Sequence, residues 1–316
     1  MNVADVEKEE KDLDAKLEAF RCGEFRDWLR KMEPRRRWIV WPTYLAALAV
    51  LPGTMWLLAQ LPVQAAGGLI IILFFAVLSG GYKLALRPMR RWQTRFADEY
   101  YSKLFGLLGY RYVVMAPSDF TKLVEAQYVL PQYDKAHVTR HVSGEIGDTA
   151  FAFANCRLES KARPEDKPPV IFNGLFGSFT FRRPFRGTTV AYSHSSFPGA
   201  RTNRLPDGVS RVHLESPEFE QAFDVYSTDQ VEARYLLTPA FMERVLKFRM
   251  RSKGVMSLAF HDSRLFVAVH LDDEFFEAPS PHFNLDDILQ FRRSADAVLF
   301  IDASVRILKL NQETRV

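Results

Sequence analysis

Residues 38–82 read WIVWPTYLAALAVLPGTMWLLAQLPVQAAGGLIIILFFAVLSGGY, 45 consecutive residues without a charged side chain. Arg35, Arg36 and Arg37 precede the run, and Lys83, Arg87, Arg90 and Arg91 follow it. One helical crossing of a bilayer takes about 20 apolar residues, so the run holds two crossings and is too short for a third. The break falls in QLPVQ, residues 60–64, where Pro62 removes a backbone donor and Gln60 and Gln64 sit at headgroup depth. A two-helix transmembrane hairpin is therefore expected over residues 35–86. Its first arm carries Trp38 and Trp41 at one interface and Trp56 near the other, with Pro42, Pro52 and Gly53 as points of bending. The second arm holds Gly67, Gly68, Gly80 and Gly81, small residues that let two helices approach closely.

The flanks orient the hairpin. Basic residues sit at both outer ends and none in the turn, which places both termini in the cytoplasm. The apolar run begins too deep in the sequence, and is too long, for a signal peptide. Cys22 and Cys156 then face a reducing compartment. With no CxxC and no histidine at ligand spacing, they read as free thiols rather than a disulfide or a metal site. The net charge of +4 comes largely from the juxtamembrane arginines, whose natural partner is the lipid bilayer's anionic headgroups and not nucleic acid.

Outward from the hairpin, residues 1–34 form a charged cytoplasmic helix. Its stripe of Leu13, Leu17, Phe20, Phe25 and Leu29 suits either a partner, including a second copy of the chain, or the chain's own domain. Residues 87–130 read as a juxtamembrane stalk and helix. Trp92, Phe96, Tyr100, Leu104 and Leu107 keep helical steps, Gly109 is placed as a stop, and Pro88 as a bend. A strand at 110–115 and a helix opened by Ser118 follow.

Residues 131–316 switch to a period of two. A hairpin is expected from 141–146 and 149–158, and a second strand pair from 170–181 and 188–193, joined across Pro184 and Gly187. A short strand is expected at 212–214, and helices open at Ser216-Pro217 and Thr238-Pro239. Residues 255–261 and 265–271 make the clearest hairpin, central to a sheet, about the turn Asp262-Ser263-Arg264. Asn284 then caps a long helix that turns Ile288, Phe291, Ala295, Val298 and Val305 inward and Asp296 and Asp302 outward. The fold class is an α+β membrane protein, a cytoplasmic antiparallel sheet domain with helices packed on one face.

The runs VHLESPEFE at 212–220 and FDVYSTDQVEARYLLTPAFMER at 223–244 resemble the bacterial family catalogued as domain of unknown function 3137. The resemblance is most specific over residues 172–271 and weakest at 297–316. It implies a charged N-terminal segment, two membrane crossings and a cytoplasmic α+β domain, and it carries over no catalytic residue.

Candidate sites are few. Phe172, Phe176, Phe179, Arg182, Arg183 and Arg186, with Phe275 and Phe276, form the candidate interaction surface. Tyr226, Asp229, Glu232 and Arg234, near Tyr235, suggest a polar site, or equally a helix cap with its ion pairs. His137, His141 and Glu145 would converge on a metal only in a helix. The surrounding strand signals separate the two histidines by about 13 Å, so no metal is expected. Tyr192-Ser193-His194-Ser195-Ser196 lacks the nucleophile elbow and any acid placed by sequence. Gly174 and Gly177 precede no helix and cradle no phosphate. Asp272, Asp273, Glu274 and Glu277 read as a solvated loop beside a hydrophobic flap of Phe275, Phe276, Pro279 and Pro281. No cofactor is implied. The functional expectation is a membrane-anchored cytoplasmic binding or adaptor protein with a protein partner. The alternatives are binding of a lipid or amphipathic ligand at the membrane surface, and an enzyme using His194, Ser195, Asp229, Glu232 or His261.

Overall fold

The computed structural model describes all residues except 1–2, 61–66, 127, 147–148, 162–168, 183, 195–204, 206, 253–254, 272–274, 277–278 and 310–316. The chain divides into two compact units, one helical and one built on a sheet.

The helical unit spans Lys16–Tyr100 with Ala278–Arg293. It holds the second part of α1 (Val3–Cys22), then α2 (Glu24–Ala59), α3 (Gly67–Ala85) and the first part of α4 (Arg87–Leu107). The 36-residue α2 runs through Pro34, Pro42 and Pro52 without ending. The boundary expected at residue 34 thus falls inside a helix, and residues 24–34 of the charged segment are continuous with the first apolar arm. Segment Glu24–Trp56 is long and apolar enough to cross a membrane. The expected break at Pro62 lies outside the described residues.

Aromatic and small residues set how α2 lies against the helices that return. Phe25 meets Tyr100 with ring centroids 5.1 Å apart, and Trp28 stacks on Phe96 at 5.4 Å. Val40 packs with Leu86 and Met89. Farther along, a Cβ added at Gly81 would stand 3.0 Å from Val50 Cγ1, whereas one added at Gly53 or Gly80 would meet nothing within 4 Å. Each advance along α2 is matched by a step back along α4 and then α3, so the rods run antiparallel, with Gly81 at the close approach. α3 passes into α4 at Leu86, whose amide donates to the Tyr82 carbonyl and whose carbonyl accepts from Arg90 N, each at 3.1 Å, with Pro88 at the junction where a bend is expected.

Residues 279–291 strap across this helical pair. Arg36 Nη1 donates to the Pro281 carbonyl at 2.7 Å, Gln93 Nε2 to that of Pro279 at 3.4 Å, and Arg26 pairs with Asp286 at 3.1 Å. Glu33 accepts from Arg36, Arg37 and the backbone amide of Leu285. Burial pushes its carboxyl up, but the hydrogen bonds from Arg36, Leu285 and Arg37 outweigh this and hold it below the ordinary value. Pro279 and Pro281, expected in a docking flap, dock on the chain's own α2 and α4.

The second unit, Met1–Ala15, Tyr101–Glu277 and Ser294–Val316, holds an antiparallel sheet. Its strands are β1 (Arg111–Met115), β2 (Lys135–Ile146), β3 (Thr149–Glu159), β4 (Val170–Thr180), β5 (Thr189–Ser193), β6 (Ser210–Arg211), β7 (Phe223–Ser227), β8 (Val255–His261) and β9 (Arg264–His270). Their order is β1-β2-β3-β4-β9-β8-β5-β7-β6, nine strands among the described residues. The β2-β3 and β8-β9 hairpins form as expected, the latter at the middle of the sheet. The expected pairing of 170–181 with 188–193 does not: β4 pairs with β3 and β9, and β5 with β8 and β7. The β8-β9 hairpin inserts between them. The strand expected at 212–214 forms instead at Ser210–Arg211.

Helices cover both faces rather than one. α5 (Ser118–Ala126) sets Phe120 and Val124 against Val138, Cys156, Phe172, Phe176, Phe266 and Ala268. On the opposite face Phe153 meets Phe179 at 5.3 Å, and Phe241 of α8 (Pro239–Ser252) meets Phe260 at 5.7 Å. α9 (Ile288–Lys309) follows, with Phe300 4.8 Å from Phe248 of α8. Its cap is Asp287, whose carboxylate accepts from Leu289 N and Gln290 N, and not Asn284. Asp302 points inward, buried, and accepts from the Tyr110 hydroxyl at 2.7 Å.

Candidate functional site

The aromatic half of the expected interaction surface is core. Phe172, Phe176, Phe179 and Phe276 are fully buried, and Phe275 is half-buried against Phe276 and Phe300. β4 has no solvent face, so its phenylalanines support the sheet on both sides. Arg182 and Arg186 are exposed, and Arg183 lies outside the described residues.

The polar candidates serve α7 (Gln230–Leu236). Asp229 caps it, accepting from Val231 N at 2.9 Å and Glu232 N at 3.0 Å. Glu232 is buried and accepts from the Arg186 amide at 3.3 Å, tying the loop before β5 to the helix. Arg234 is exposed and donates to the Gln230 carbonyl, and Tyr226 sits in β7 opposite Val190. Asp229 thus holds a helix cap and Glu232 a loop.

Two histidines acquire partners that sequence reasoning missed. His194 Nε2 lies 3.2 Å from Asp224 Oδ1, which also takes Arg211 Nη2 at 2.9 Å. The acid that no local motif supplied comes from β7, because antiparallel pairing sets Tyr192 opposite Asp224. His261 Nδ1 lies 2.8 Å from the buried Thr188 hydroxyl, and its Nε2 lies 3.5 Å from Asp262 Oδ2. His194 follows the end of β5 and His261 flanks its start, so the expected enzymatic residues are divided between the strand's two ends. Ser195 lies outside the described residues.

His137, His141 and Glu145 stand on β2, which a bulge between Thr139 and Val142 interrupts. Among the described residues no three histidine, cysteine or acidic groups could hold a metal. His141 is buried, its ring edge-on to Phe120 at 4.6 Å, and its Nδ1 has no partner. Burial, helped by the Arg111 charge, pushes its pKa down to about 4. An unfolded histidine titrates near 6.5, so below about pH 6.5 the unfolded chain takes up a proton that the folded chain refuses. His141 should therefore cost stability progressively as pH falls from about 6.5 towards 4, on the order of 3 kcal/mol in total. His141→Phe should remove that contribution, so wild type loses more stability than the variant between about pH 7 and pH 5 in denaturant titrations. Equal losses would contradict it.

Cys156 is buried and its thiol is pushed up to about 12, whereas Cys22 is exposed. A maleimide should modify Cys22 and leave Cys156 untouched until the protein is unfolded. Rapid modification of Cys156 in the folded protein, read by mass spectrometry, would contradict its placement.

The helical unit holds a cleft of about 510 Å³ that is half open to its surroundings. Arg87, Arg91 and Arg95, at successive four-residue steps on α4, line one side together with Pro88 and Trp92. Leu84 of α3 and Ile39 of α2 complete the lining. No carboxylate among the described residues pairs with any of the three arginines. Arg36 and Arg37 differ, being engaged by Glu33.

No curated protein matches the chain. Among solved structures, the mycobacterial trehalose monomycolate transport factor A, TtfA, aligns at 10% identity with a TM-score of 0.36. That alignment covers 68% of this chain and 96% of the other. Residues 170–309 match the family described as "Protein of unknown function (DUF3137)", which bears out the resemblance read from the motifs between Val212 and Arg244.

Proposed function

We propose that the chain is a membrane-anchored cytoplasmic binding protein, held in the bacterial inner membrane by a two-crossing hairpin with both termini on the cytoplasmic side. The observation that carries this reading is the bare apolar surface of α2 and α3. Trp38 is 81% exposed, Leu48 74% and Ile72 71%, with Trp41 and Trp56 also outward. A surface of this kind, in a run of 45 uncharged residues bounded by arginines, is one that a bilayer covers and water does not. The protein should stay with the membrane pellet after alkaline carbonate washing. Cys22 should react with an impermeant maleimide in inverted vesicles and not in spheroplasts. Release by carbonate would overturn the anchoring, and labelling in spheroplasts would overturn the orientation.

A protein partner for the sheet domain belongs to the same reading. What supports it is the edge strand β1, which pairs with β2 alone among the described residues and exposes Val114 and Met115. Such an edge can accept an added strand. Affinity purification of the full chain in mild detergent should retain a stoichiometric protein, lost on Val113→Pro. Recovery of the chain without any such protein would remove the adaptor role.

A further inference from the structure

We propose that the cleft lined by Arg87, Arg91 and Arg95 binds the phosphodiester headgroup of one anionic phospholipid, with its acyl chains running out along Ile39 and Leu84. The inference rests on the anchoring reading, because the cleft meets lipid only if α2 and α3 cross the bilayer.

Three features select this ligand. The first is polarity along one axis. Ile39 is the second residue of the uncharged run and Leu84 lies two residues beyond its end, so the apolar wall stands at the membrane border. The arginines descend from there along one face of α4, spread over about 12 Å at 1.5 Å per residue. An amphiphile with apolar tails and an anionic head has the same order of parts. The second is charge. Three exposed guanidiniums at four-residue spacing repel one another, and no carboxylate among the described residues answers them. Glu33 answers Arg36 and Arg37 on the neighbouring helix, so the chain supplies counter-charge there and leaves it out of the cleft. Guanidinium forks suit phosphate oxygens, which accept two parallel donors. The third is the role of Trp92. Its ring is stacked on Phe96 at 5.0 Å with an interplanar angle of 12°, so it is engaged within the helical unit rather than offered as a platform for a base. That arrangement favours a lipid over a nucleotide.

The test uses the full chain in mild detergent, with native mass spectrometry counting bound lipid during titration with phosphatidylglycerol or phosphatidylcholine. One phosphatidylglycerol should be retained in preference to phosphatidylcholine. The triple variant Arg87→Gln, Arg91→Gln, Arg95→Gln should bind it on the order of 100-fold more weakly, since each basic residue near an anionic surface contributes roughly fivefold. A matched variant, Arg35→Gln, Lys83→Gln, Arg90→Gln, removes the same charge just outside the cleft and should bind nearly as wild type. Equal weakening in the two variants would overturn the site in favour of general attraction to the membrane. Displacement of the lipid by inorganic phosphate at comparable concentration would overturn it in favour of a free-anion site. Carbonate washing of the same three proteins separates the underlying readings: a chain that stays in the membrane without lipid selectivity loses the site and keeps the anchor. A wild-type chain that washes off loses both.

Discussion

Gly174→Ala should unfold the sheet domain. Gly174 lies in β4 opposite His270 of β9, at φ +156°. A Cβ there would fall 2.0 Å from the Val269 carbonyl oxygen and 3.0 Å from Leu271 N. Both obstacles are backbone of the neighbouring strand, and Leu271 N already donates to the Asn173 carbonyl at 2.8 Å. Nothing flexible can swing aside, so the strands must part where the central β8-β9 hairpin joins β4. Overpacking and backbone strain together should cost about 3 kcal/mol or more, a large share of the 5–15 kcal/mol typical of a domain. The melting temperature should drop by about 10 °C, or the protein should accumulate unfolded. Gly208→Ala is the comparison, because Gly208 also has positive φ, at +76°, but nothing within 4 Å of an added Cβ. It should cost only about 1 kcal/mol. Similar melting of the two variants would show that the strands do not approach as described.

Phe176→Ala should be nearly as damaging, and for a different reason. The ring is fully buried, 5.6 Å from Phe120 of α5 and 6.1 Å from Phe266 of β9. Truncating a buried phenylalanine removes its transfer energy and leaves a cavity, together about 3–5 kcal/mol. Arg182→Ala and Arg186→Ala, at exposed positions beyond the same strand, should stay within about 0.5 kcal/mol of wild type. Thermal melting of the three variants decides between core and contact surface. A Phe176→Ala protein of unchanged stability that has lost a partner would restore the aromatic face as an interaction site.

Much of the fold is written in local signals. The turn at Asp262-Ser263-Arg264 shows the β8-β9 hairpin because antiparallel neighbours joined by a short turn are local in sequence. Ser216, Asp229 and Thr238 are legible as helix caps for the same reason, each accepting from an amide two or three residues on. What the sequence hides is pairing at long range. β4 and β5 look like a hairpin, yet a hairpin from some 70 residues downstream enters between them, and no pattern within either strand announces it. The even and odd faces of β4 are both covered, so the alternation that marks a solvent side is missing, and its phenylalanines resemble an exposed aromatic patch. Asp224 reaches His194 through the same kind of nonlocal register. The arginine cleft is half legible: Arg87, Arg91 and Arg95 follow one another at four-residue steps on one helix, but Ile39 joins them only once α2 is known to lie alongside α4.

The unbroken course of α2 through Pro34 bears on where the chain can be cut. A fragment begun at Arg87 would keep Phe96 and Tyr100 but discard Trp28 and Phe25, the rings they pack against, and would offer that aromatic seam to other molecules. Val40 lies against Leu86 and Met89, so the two strands of chain entering and leaving the apolar run are neighbours. Replacing residues 38–82 by a short polar loop would join neighbouring parts of the chain and keep both sides of the seam in one polypeptide.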